Sequence, residues 1–92
     1  MKRADRFREI AYELADLYEK KDKAYGDSFG VTYDKLGIVS AVTRISDKYN
    51  RLCNLAVNSE IDDLGESLQD TLKDMAAYCV MTIMKLKEKD NV

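Results

Sequence analysis

The chain has 92 residues, 46% of them hydrophobic and 35% charged, with a formal net charge of −2 and no histidine, proline or tryptophan. Missing histidine excludes Ser-His-Asp and Cys-His catalysis and histidine-ligated zinc or haem, while a chain that buries only about 60–65% of its unfolded surface has little room for a self-contained active site. Fifteen basic residues against seventeen acidic ones supply no overall field to draw the protein onto duplex nucleic acid.

Met1-Lys2-Arg3-Ala4-Asp5 leads into no apolar run, so no signal peptide is expected. Phe7, Ile10, Ala11, Leu14, Leu17 and Tyr18 then recur at three- and four-residue spacing, with Arg6, Arg8, Glu9, Glu13, Asp16 and Glu19 on the other side. This predicts an amphipathic first helix ending near Lys23, where basic residues suit the C-terminal dipole and Gly26 follows.

From Ala24 to Gly37 the periodicity disappears, and three of the four glycines fall there with Tyr25, Phe29 and Tyr33. A loop of this length in so small a domain is expected to carry function. Tyr25 or Phe29 could stack on a base, Ser28 and the backbone around Gly26 could hold phosphate, and Lys21 and Lys23 could supply charge. The same aromatics could equally plug the open end of a helical bundle.

A second helix is predicted from Asp34 or Gly37 to about Val57, burying Ile38, Ala41, Val42, Ile45, Tyr49, Leu52, Cys53 and Ala56. Its polar stripe reads Ser40, Arg44, Asp47, Arg51 and Asn54, with Lys48 alongside. Arg44, Lys48 and Arg51 could receive phosphate oxygens or pair with acids of the next helix.

After a polar connection, Asp63 and Glu66 have capping-box spacing and open a third helix. Leu64, Leu68, Leu72, Met75, Cys79, Ile83 and Leu86 form its apolar stripe. The opposite face changes from Glu66, Asp70, Lys73 and Asp74 to Ala77, Met81 and Met84, and this second apolar face is expected to meet another subunit. Its longest apolar run, Met75 to Met84, is too short to span a bilayer. Cys53 and Cys79 fall on apolar faces without CxxC spacing and are expected to be buried free thiols. The expected fold is thus all-α: one domain over residues 1–92, a three-helix bundle with a Gly/aromatic loop between helices 1 and 2, assembling into a homo-oligomer.

Glu66, Asp70 and Asp74 succeed one another by one helical turn, with Asp47 on the neighbouring helix, an arrangement suited to Mg²⁺ bridging substrate phosphates or to a solvated, salt-bridged face.

The strings Lys23-Ala24-Tyr25-Gly26-Asp27-Ser28-Phe29, Arg44-Ile45-Ser46-Asp47-Lys48-Tyr49-Asn50-Arg51-Leu52 and Glu66-Ser67-Leu68-Gln69-Asp70-Thr71-Leu72-Lys73-Asp74, with Tyr78, resemble the nucleotide modification associated domain 1 family. Those are small all-helical proteins of phages and prophages, and the resemblance implies a nucleotide ligand. The acidic third helix is also similar to MazG-like all-α nucleoside triphosphate pyrophosphohydrolases, although Asp47-Lys48 stands where a glutamate pair would be expected. The compact helical plan further resembles viral sponge proteins, which sequester cyclic nucleotide signals of antiphage defence for immune evasion.

These likenesses imply a phage-type, non-catalytic protein that sequesters a cyclic dinucleotide or related nucleotide signal in the (host) cytoplasm. Lys21, Lys23, Tyr25, Gly26, Ser28, Phe29, Arg44, Lys48 and Arg51 would bind the ligand. Asp47, Glu66, Asp70 and Asp74 would orient the arginines, and Ala77, Met81 and Met84 would form the oligomer interface. No cofactor is expected, nor a duplex nucleic acid or membrane partner. The alternatives are a Mg²⁺-dependent pyrophosphohydrolase or nucleotide-modification accessory, with the same acids as metal ligands, and a structural helical adaptor.

Overall fold

The computed structural model describes residues 2–58, 60 and 64–90, with side chains up to Glu88. The described residues form four helices: α1 (Arg3–Tyr25), α2 (Ser28–Leu36), α3 (Ile38–Val57) and α4 (Leu64–Asp90). The described residues include no strand. Asp63, half of the expected capping box, lies outside them.

The segment expected to be a loop is α2. Local polar chemistry starts it: the Asp27 side chain accepts a hydrogen bond from the Gly30 N–H at 3.0 Å, capping a helix whose Gly, Val and Thr residues have poor intrinsic propensity. Tertiary burial then holds it. Phe29 and Tyr33, four residues apart and hence on one face, are both buried. With Ala41 they form the core cluster, against which Tyr78 and Met81 of α4 pack.

Two glycines set the turns around α2. Gly26 (φ 70°, ψ −169°) ends α1 and Gly37 (φ 75°, ψ −161°) joins α2 to α3. This region of backbone space is essentially restricted to glycine, so these two positions let the chain reverse with no more than two residues between helices. The Gly26 N–H donates to Asp22 O at 2.8 Å and the Gly37 N–H to Tyr33 O at 2.7 Å, closing the ends of α1 and α2.

α3 and α4 run antiparallel, since Arg44, Lys48 and Arg51 meet Tyr78, Asp74 and Thr71 in descending order. Their packing is rotated from the expected one. On α3, Ala41 and Leu55 are buried and Ile45 and Leu52 half-buried, but Val42, Tyr49, Cys53 and Ala56 are exposed. On α4 the seam runs through Thr71, Met75, Tyr78 and Thr82, while Leu72, Cys79, Ile83 and Leu86 face outward. Both cysteines are free, as expected, but exposed rather than buried. The rotation is tolerated because the seam's polar groups satisfy one another: Thr71 Oγ1 donates to Ser67 O (2.8 Å) while accepting from Arg51 Nε (3.2 Å), and Thr82 Oγ1 donates to Tyr78 O (2.6 Å).

Candidate functional site

α1 lies across α4 by its C-terminal half only: Leu14 and Tyr18 are half-buried, whereas Phe7, Ile10 and Tyr12 are exposed. Between α1, α2 and α4 this docking leaves a cleft of about 180 Å³. One face of α1 supplies Leu14, Tyr18, Lys21 and Tyr25, residues three or four apart that line up along the helix. The Gly26-Asp27-Ser28 turn closes one end, and Phe29, Arg44, Tyr78 and Met81 lie along the inner wall.

The most constrained group here is Arg44. Its guanidinium carbon is 5.6 Å from the centre of the Phe29 ring and 5.9 Å from that of Tyr78, while the two ring centres are 5.9 Å apart at an interplanar angle of 20°. The three planar groups thus sit at the corners of a near-equilateral triangle. Cation–π attraction fixes the arginine from one side. Arg44 Nη2 also donates to Thr32 Oγ1 at 3.4 Å, and among the described residues Arg44 makes no ion pair.

Asp74 organises the other cations. Its Oδ1 faces Lys21 Nζ at 3.4 Å and its Oδ2 faces Lys48 Nζ at 3.1 Å, so one carboxylate ties α1 to α4 and α3 to α4. The expected role of orienting arginines therefore falls differently: Asp74 holds two lysines, and Arg44 and Arg51 are held by aromatic rings and threonine hydroxyls. The antiparallel register decides this, because it sets Lys48, not an arginine, opposite Asp74. Burial, followed by the nearby Asp22 and Asp27 carboxylates, raises the Tyr18 phenol above its ordinary pKa.

The cleft gathers Lys21, Tyr25, Gly26, Ser28, Phe29, Arg44 and Asp74 of the sequence-derived set. Lys48 stands directly behind, through Asp74. Arg51 is one turn further along, on Thr71, and Lys23 pairs with Glu19 on the exposed side of α1 at 3.6 Å. Glu66 and Asp70 are exposed, and Asp47 belongs to a separate shallow hollow with Ile38, Val39, Val42, Thr43 and Ser46. Among the described residues no three acidic or thiol side chains converge as ion ligands, and the four acids that the alternative reading assigns to Mg²⁺ lie apart. Ala77 and Met81, expected at a subunit interface, line the cleft within the chain, while Met84 remains exposed.

Tyr18, Asp22, Lys73 and Tyr78 also line the cleft without having been singled out as ligand residues. A signal for α1 was present, since Tyr18, Lys21, Asp22 and Tyr25 share one helical face. Tyr78 and Lys73 required the α3–α4 register.

Lining cations (Lys21, Arg44, Lys73) and carboxylates (Asp22, Asp27, Asp74) are balanced in number, but Asp27 is engaged in capping α2 and Asp74 is neutralised by its lysines. Arg44 and Lys73 are the cations of the lining without an ion pair among the described residues. The cleft thus sets an aromatic wall beside two cations that no described acid pairs with, in a small all-α domain.

The chain belongs to the nucleotide modification associated domain 1 family, which matches residues 21–86 and so takes in every cleft residue from Lys21 onward. No curated protein and no solved structure matches it. No described helix is long and apolar enough to cross a membrane.

Proposed function

We propose that this protein binds a nucleotide in the α1–α4 cleft and holds it without cleaving it, in the manner of a phage protein that sequesters a nucleotide signal of antiphage defence. The observation that carries this reading is Arg44, fixed by Phe29 and Tyr78 and unpaired with any described acid, at the inner wall of a cleft edged by Tyr18, Tyr25 and Lys73. Tyr25, exposed at the rim, would close over a base, and Arg44 and Lys73 would take phosphate oxygens. The family's association with nucleotide modification supports the ligand class.

Size narrows the ligand. About 180 Å³ lies below the roughly 300–1,000 Å³ of pockets that enclose a drug-sized molecule. A cleft of this size would take one nucleotide unit only in part, its phosphate against Arg44 and its base under Tyr25, and a cyclic dinucleotide would leave its second unit outside.

The test is to incubate native protein with mononucleotides, triphosphates and cyclic dinucleotides, with and without Mg²⁺, wash, denature and chromatograph the released material. Intact nucleotide at one per cleft is expected. Mg²⁺-dependent monophosphate would replace this reading with a pyrophosphohydrolase, and no retained nucleotide would leave a helical adaptor.

A further inference from the structure

The α3–α4 pair is a layer covered on one side only. α1 and α2 lie over the side carrying Arg44, Asp74 and Ala77. Helical spacing places Val42, Tyr49 and Cys53 on the flank of α3 away from Arg44, and Leu72, Cys79 and Ile83 on the flank of α4 away from Asp74 and Ala77. These six share the bare side of the layer. Val42 and Tyr49 are each 56% exposed, Leu72 and Ile83 each 52%, and both thiols are exposed.

We infer that this bare face is a homodimer interface, with a second copy of the chain packed on it about a two-fold axis so that two α3–α4 layers form a four-helix core. Packed domains need two layers around an apolar interior, and this chain provides one layer and part of another. Area gives the scale: the chain exposes 7282 Å², about 1,900 Å² more than the roughly 5,400 Å² of a compact protein of its mass. Its radius of gyration is 15.0 Å, against about 12 Å for a compact domain of this length. Burying about half of that excess on each copy reaches the roughly 1,200–2,000 Å² total of a stable protein–protein interface.

The face also suits its own copy in charge. Neither helical stripe contains an ionisable Lys, Arg, Asp or Glu, so a self-complementary contact sets no like charges against each other. The interface thus falls on the opposite side of the layer from Ala77 and Met81, which are used within the chain. It leaves both clefts facing solvent, so it stands or falls independently of the nucleotide reading.

Light scattering after size exclusion, at micromolar protein, is expected to give twice the 10.5 kDa chain mass, with Cys53 and Cys79 slow to react with a thiol reagent until urea is added. Leu72→Glu is expected to halve the mass and release both thiols with helical circular dichroism retained, while Phe7→Ser on α1 leaves mass and thiol protection unchanged. Should Leu72→Glu unfold, the wild-type mass and thiol rates still decide the matter. A single-chain mass with two fast thiols overturns the inference. So does a dimer whose thiols react at the unfolded rate, or one lost in Phe7→Ser but kept in Leu72→Glu.

Discussion

Arg44 on α3 rests against the Phe29 ring of α2, its guanidinium carbon 5.6 Å from the ring centre. That contact joins the core to the cleft: the ring's neighbours Tyr33 and Ala41 are buried, and Arg44 itself lines the cleft. Arg44→Gln is expected to cost about 1 kcal/mol of stability through the lost cation–π contact. Nucleotide affinity should fall by tenfold or more, in line with about 1.5–3 kcal/mol for a hydrogen bond to a charged group. Urea melts and ligand retention measure the two effects, and an unchanged affinity would remove Arg44 from the site.

Asp74→Asn releases Lys21 and Lys48 together. Both pairs are partly solvated, so the global loss should stay at about 0.5–1 kcal/mol. The larger effect is local: α1 is held by few groups, and hydrogen exchange along its C-terminal half should accelerate while α3 and α4 are little changed. Two unneutralised lysines beside the cleft should also tighten phosphate binding. A metal-ligand role for Asp74 predicts the reverse, a loss of Mg²⁺-dependent affinity.

Gly26→Ala and Gly37→Ala each place a side chain where φ is +70° or +75° with extended ψ. Open space surrounds both positions, so the penalty is conformational rather than steric contact with neighbours. Each substitution is expected to cost about 1–3 kcal/mol in chemical denaturation. An effect below a few tenths at Gly37 would mean that the α2–α3 turn has another accessible geometry.

Lys85 on α4 faces Asp34 and Glu88, each at 2.8 Å, with its ammonium 5.9 Å from the Tyr33 ring centre. Hydrogen bonding to Asp34, then to Glu88, raises its pKa above the ordinary lysine value. A cationic group whose folded-state pKa is raised contributes its stabilisation in full below the unfolded value and loses it as pH climbs toward the folded one. Lys85→Gln should therefore lower the melting temperature at pH 7, with the gap to the wild type narrowing above about pH 10.4. A gap that widens with pH would reverse the sign of the linkage.

Several features were legible from residue order. Periodicity located α1, α3 and α4 and set Arg44 and Asp74 on polar helix faces, because amphipathic spacing is a local property of 3.6 residues per turn. The α2 segment was not legible as a helix. Its propensities are poor, and it is held by Asp27 capping and by burial of Phe29 and Tyr33 against α3 and α4, contacts that are distant in sequence. Reading Phe29–Tyr33 as an i,i+4 pair behind a capping aspartate was the available clue. The rotation of α3 and α4 was hidden for a related reason: each helix carries more apolar surface than a single-chain seam can use, so hydrophobicity alone did not say which stripe faces inward.

By itself, the sequence determined an all-α chain free of histidine chemistry, with a basic-aromatic set around Tyr25, Phe29 and Arg44. Only the tertiary structure decided that Asp74 restrains Lys21 and Lys48, that Ala77 and Met81 are used within the chain, and that the most regular apolar stripes remain uncovered. The physical reason is the antiparallel register of α3 and α4. Shifting or turning either helix would leave every local pattern intact while assigning each side chain a different neighbour.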